Sequence, residues 1–153
     1  MSLCACDPAQ FITPVDVLES VASIELIEYK NPEQDHFYLR VLNHFDELVP
    51  FDHSKATVLE LLSKEKIPDF LDSFSHTYIL QGYYVYDSPK DYCIRMNLSN
   101  GNFVSIWADY QRGAFADYIG KYAQDGTVVS FWGSFSDVND YRQLVNQYFT
   151  YNI

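Results

Sequence analysis

The dipeptide Asn100-Gly101 constrains this chain more than any other feature. A two-residue hairpin turn needs positive φ at both central positions, and Asn-Gly meets that need best. The residues before it, Tyr92–Leu98, alternate cleanly. Tyr92, Ile94, Met96 and Leu98 fall on one face, and Cys93, Arg95 and Asn97 on the other. Phe103–Tyr110 reads as the returning strand. A two-residue turn pairs Leu98 with Phe103, Met96 with Ser105 and Ile94 with Trp107. That register puts Trp107 on the core face and Arg95 on the outer one.

A second turn, Asp125-Gly126, repeats the signal. It joins an expected strand over 114–123 to another over Thr127–Gly133, with Tyr122 opposite Val129 and Gly120 opposite Phe131. Thr77–Tyr86 is apolar on both faces, which suits a central strand. His36–Leu42 reads as a strand from its aromatic and β-branched content. Helices are expected at three places. Thr13 and Pro14 form a start signal for a helix ending near Ser23–Glu25, after which Leu26–Tyr29 is either a strand or a continuation. Ser54 opens a second helix with Val58, Leu61 and Leu62 as its stripe, followed by a helical turn over PDFLDSF that faces Phe70, Leu71 and Phe74 inward. Ser136 caps a last helix, with Val138, Tyr141, Leu144, Val145, Tyr148 and Phe149 facing the sheet. The fold class is therefore α+β: an antiparallel meander of about five strands, with N-terminal helices and a C-terminal helix packed on one face.

The 153 residues fit a single domain, 1–153, with residues 1–11 frayed. Rings make up 17% of the chain, so a core is easily filled. The three cysteines do not suggest a disulfide framework. Cys4 and Cys6 lack further ligands for a metal nearby, and no metal or other cofactor is expected. There is no signal-peptide pattern at the start and no membrane-length apolar run, so a cytoplasmic location is expected.

The net charge of −11 argues against nucleic-acid and anionic-membrane partners. The charge is uneven. Residues 1–52 hold 10 acidic and 2 basic side chains, a net of −8, which leaves −3 for residues 53–153. Glu33 and Asp35 precede the expected strand at His36–Leu42, and Asp46, Glu47 and Asp52 follow it, with Tyr38, Phe45 and Phe51 close by. Aromatic anchors ringed by charge are what a protein-binding surface requires. These eight residues are the expected partner-binding set.

The sequence carries no G-x-S-x-G, phosphate-binding glycine loop, H-E-x-x-H or C-x-x-C. His36 and His44 would lie about 26 Å apart in an extended strand. Nothing in the spacing of His53 or His76 commits either to acid–base chemistry. Four tyrosines in QGYYVYDSPKDY could line a pocket, though tyrosine is common on sheet faces. The expectation is a non-enzymatic acidic domain that binds a basic protein, such as the immunity protein of a cationic nuclease toxin. The alternatives are a small-molecule-binding or enzymatic α+β cone with an aromatic-lined pocket, and a structural or adaptor homodimer.

Overall fold

The computed structural model describes residues 10–11, 20–30, 50–75, 78–80, 92–108, 118–135 and 138–151. Within them the chain forms β1 (Gln10–Phe11), β2 (Val21–Tyr29), β3 (Ala56–Leu61), α1 (Ile67–Ser75), β4 (Tyr78–Leu80), β5 (Tyr92–Leu98), β6 (Phe103–Ala108), β7 (Tyr118–Tyr122), β8 (Val128–Phe135) and α2 (Val138–Tyr148). Six strands run antiparallel in the order β3-β2-β5-β6-β7-β8, and β4 then β1 continue from β8. The α+β reading holds at this level.

Two expected helices are strands where they are described. Residues 21–25 belong to β2, because Val21–Tyr29 alternates: Ile24 and Leu26 enter one apolar cluster, and Ile27 and Tyr29 another. The apparent stripe of Val21 and Ile24 also satisfies a period of two, and residues 12–19 lie outside the described chain. Ala56–Leu61 is also a strand. The cap there is Asp52 rather than Ser54, and it closes only a 3-10 turn, His53–Lys55. Thr57 and Val58 then favour extended backbone. Further on, α1 buries Phe70 and Phe74, as its spacing suggested. The described part of Thr77–Tyr86, β4, lies beside β8 near one end of the sheet rather than centrally. Gln10–Phe11, expected to fray, pairs with Tyr78 and Ile79. Residues 36–42 and 136–137 lie outside the described residues.

The first hairpin exists, but its loop has three residues. Gly101 N–H donates to the Leu98 carbonyl, Leu98 N–H donates to Asn102, and Gly101 sits at φ +94°. This is the bulged form, with one left-handed residue closing the turn. The pairing shifts by one residue, so Ile94 faces Ile106, Cys93 faces Trp107 and Asn97 faces Phe103. A one-residue shift changes which side chains share a face. Trp107 is fully buried, but on the same side as Cys93 and Arg95.

The β7–β8 loop repeats the pattern. Gly126 N–H donates to Ala123, Ala123 N–H donates to Thr127, and Gly126 has φ +96°. Asn100 and Asp125 play matching parts: each Oδ1 accepts the backbone N–H two residues on. Here Gly120 faces Phe131 as expected, while Tyr122 faces Val128 rather than Val129.

Both sheet faces are apolar. The first carries Ile24, Leu26, Ile94, Met96, Val104, Ile106 and Ile119, clustered with Phe70 and Phe74 of α1 and Leu144, Val145 and Tyr148 of α2. The second gathers Ile27, Tyr29, Cys93, Phe103, Trp107 and Tyr122, with Phe51 packed among them. Glu60 on β3 secures the chain after α2, accepting from Thr150 and Tyr151 N–H at 2.9 Å.

The two loops touch, which makes Gly101 a useful probe. A Cβ there would lie 2.8 Å from Gln124 Oε1, the free end of a flexible side chain that can swing aside. The positive φ then dominates, and Gly101→Ala should cost only about 1 kcal/mol in urea denaturation.

Candidate functional site

The second face carries a polar cluster inside its ring of aromatics. Strand pairing sets Glu25 beside Arg95 and Ser23 beside Asn97. Arg95 Nη2 lies 2.7 Å from Glu25 Oε1, and Arg95 Nε donates to the same oxygen at 2.8 Å. Asn97 Nδ2 donates to it as well, at 2.9 Å, and to Ser23 Oγ at 3.0 Å. The pair is nearly enclosed, with side-chain exposures of 14% and 12%. A charge so placed needs its partner, since desolvation without pairing is expensive. The guanidinium also lies 5.6 Å from the Phe51 ring centre and 5.5 Å from that of Phe103.

The segment 50–55 covers this cluster. Phe51 fits edge-on against Tyr29 and Phe103 at 5.0 and 5.1 Å between ring centres. Phe51 N–H donates to the Gly126 carbonyl, and Asp52 N–H donates to the Tyr29 hydroxyl at 3.1 Å. His53 then bridges two elements. Its Nε2 lies 2.9 Å from the Gln124 carbonyl oxygen, which only accepts, so Nε2 carries the proton. Its Nδ1 therefore accepts, facing Arg95 Nη1 at 3.4 Å. This ring thereby adds a contact among sheet, segment and β7–β8 loop.

A cleft of about 520 Å³ opens between the segment and the loop. Tyr29, Phe51, Asp52, His53, Lys55 and Asp125 line it. Asp52 accepts through Oδ1 from Ser54 Oγ at 2.6 Å and Ser54 N–H at 3.0 Å, and these bonds hold its carboxyl below the usual range. Hydrogen bonds from Thr127 do the same for Asp125. Both groups are solvent-facing and stay ionised down to low pH. Burial pushes the Tyr29 hydroxyl up to about 12, so it remains a neutral phenol. Burial also drives the Cys93 thiol up, which keeps it from acting as a thiolate.

A smaller cavity of about 320 Å³ lies between α1 and α2. Tyr148 ties its walls together, donating to the Asp69 carbonyl at 2.9 Å and pairing with Ser73 Oγ at 2.5 Å.

Of the expected partner-binding residues, Phe51 and Asp52 are described, and they adjoin one another at the cleft. Phe51 is 2% exposed, so its ring serves the core cluster. Asp52 is exposed. Glu33, Asp35, Tyr38, Phe45, Asp46 and Glu47 lie outside the described residues, as do His36, His44 and His76. Of the four tyrosines in 81–92, only Tyr92 is described, and its ring lies 6.3 Å from that of Tyr151. Sequence reasoning missed Glu25, Tyr29, Arg95 and Asp125. Arg95 had a signal: one cation amid the apolar strand Tyr92–Leu98 calls for a carboxylate on the neighbouring strand. Among the described residues, no three of His, Cys, Asp or Glu are grouped to hold a metal ion, and no helix is long and apolar enough to cross a membrane.

No protein-family model matches this sequence, and no curated protein or solved structure matches it.

Proposed function

We propose that this protein binds and restrains a cationic protein partner, in the manner of an immunity protein that neutralises a basic nuclease toxin. The observation that carries this reading is the charge distribution. A net of −8 on residues 1–52, within −11 overall, creates a field that steers a basic partner toward one part of the chain. Carboxylates can also occupy the positions that phosphates take on a nucleic-acid-binding surface.

Several of the described polar groups that could do chemistry are already engaged or buried, which favours binding over catalysis. Glu25 and Arg95 neutralise each other, both His53 nitrogens face partners, and Cys93 is buried. The rings of the second face pack against one another, which supports the binding reading over an aromatic-lined pocket. A cytoplasmic location and helices confined to one face of the sheet belong to the same reading.

Co-purification tests it. The tagged protein is expressed in its source cell at low ionic strength, and captured proteins are identified and purified. A basic protein, encoded beside this one, should form a defined complex and lose its activity on binding. A monomer that holds no basic neighbour would refute the proposal.

A further inference from the structure

We propose that Asn100 is a site of spontaneous covalent modification, and that the closed β5–β6 hairpin holds the reaction back until the turn opens. This does not depend on the binding reading above. Asn100 is the only asparagine in the chain followed by glycine, and it is exposed. In such a pair the glycine nitrogen can attack the side-chain amide carbon of the asparagine, because no Cβ shields it. A bond forms between Gly101 N and Asn100 Cγ, the Gly101 N–H proton leaves, and the side-chain nitrogen departs as ammonia. The resulting cyclic imide then takes up water. Opening on one side gives aspartate at position 100. Opening on the other gives isoaspartate, in which the backbone runs through Cβ and Cγ. The only co-reactant is water.

Hydrogen bonds engage both reacting groups. Gly101 N–H donates to the Leu98 carbonyl at 3.0 Å, which keeps its proton from base in the solvent. Asn100 Oδ1 accepts from Asn102 N–H at 2.9 Å, which holds the amide carbon in place. The loop is fixed on both sides: Leu98 N–H donates to the Asn102 carbonyl, and Ser99 N–H to the Ser20 carbonyl just before β2, each at 2.8 Å. Local opening must therefore precede attack, and its free energy sets the rate. Asp125-Gly126 is the contrast within the same molecule. Gly126 N–H is bonded to the Ala123 carbonyl in the same way, but loss of water from Asp125 needs a protonated carboxyl, and hydrogen bonds from Thr127 keep that group ionised. The product has a structural consequence. Isoaspartate adds a methylene to the backbone of a three-residue loop, so the Leu98–Gly101 bond is not restored. A turn that opens long enough to react stays open, beside the Gln124 whose carbonyl holds His53.

The test is peptide mapping by mass spectrometry of the purified chain, held in mildly alkaline buffer either folded or in denaturing urea. The mass gain from amide to acid locates each converted asparagine, and labelling by an isoaspartyl methyltransferase identifies the isoaspartate. In urea, Asn100 should convert before every other asparagine. Gly101→Ala in urea should convert much more slowly, since a Cβ then shields the nitrogen. In the folded chain, conversion at Asn100 should be at least about tenfold slower, an opening free energy of about 1.4 kcal/mol or more. Urea added below the unfolding transition should raise that rate in step with hydrogen exchange at the Gly101 amide, while Asp125 stays unconverted. The refolded isoaspartate product should lack a protected Gly101 amide. Equal rates in the folded and unfolded chain would remove the gate. Another asparagine converting first in urea would remove the site. A product with a normal hairpin would overturn the structural consequence.

Discussion

Gly126→Ala should destabilise the protein by roughly 3–4 kcal/mol, a fall in Tm on the order of 10 °C for a chain of this length. Two causes combine. Gly126 has φ +96°, where a side chain is strained. A Cβ there would also lie 2.1 Å from the Phe51 carbonyl oxygen. That oxygen cannot swing aside, because Phe51 N–H is bonded back to Gly126 and the Phe51 ring is locked among Tyr29, Phe103 and Trp107. Gly101→Ala is the control: it has the same φ strain against a movable neighbour. Differential scanning calorimetry of both variants should show the Gly126 change costing several times more. Equal costs would mean that segment 50–55 does not sit on the β7–β8 loop as described.

Arg95→Met should cost about 3 kcal/mol, because it leaves the Glu25 carboxylate nearly enclosed with only Asn97 donating to it. The length of methionine keeps much of the contact with Phe51 and Phe103, so most of the loss is electrostatic. Glu25→Gln in the same background removes the orphaned charge. The double variant should therefore be more stable than the sum of the single losses, with a coupling of about 1–3 kcal/mol in urea denaturation. Additive losses would show that the two groups do not neutralise each other.

The turn residues locate both hairpins, but the expected pairing is off by one residue throughout the first and next to the loop in the second. Asn-Gly suits a two-residue loop, but a single left-handed glycine also closes a three-residue one. Only hydrogen bonds to the flanking strands distinguish the two. The error moved Trp107 to the wrong face, and with it the surroundings of Arg95. The helix assigned near residues 21–25 failed because Val21 and Ile24 fit either period over so short a stretch. Once that segment was read as helix, Glu25 could not be seen as the partner of Arg95, a pairing that depends on β2 lying beside β5 across about 70 residues of sequence. Phe70 and Phe74 of α1 and the Leu144–Phe149 stripe were legible because local spacing alone determined their buried faces.

The candidate site was legible only where one residue sufficed. Asp52 drew attention through its acidic setting, and its position at the cleft follows from capping the turn before β3. Asp125 was read purely as a turn residue, though the same Asx geometry that shapes the loop also points a carboxylate at the cleft. The spacing of His53 commits it to no role. Its bridge to Gln124 and Arg95 is a long-range arrangement that local sequence does not encode.

Under the proposed function, concentrated negative charge directs this protein to a cationic partner. The association rate with the co-purified basic protein, measured by stopped flow across ionic strength, tests it most directly. The rate should fall steeply as salt rises from about 10 to 150 mM, where the screening length shrinks from about 30 to 8 Å. Asp46→Lys with Glu47→Lys should slow association at low salt and matter much less at high salt. A rate indifferent both to salt and to these reversals would contradict it.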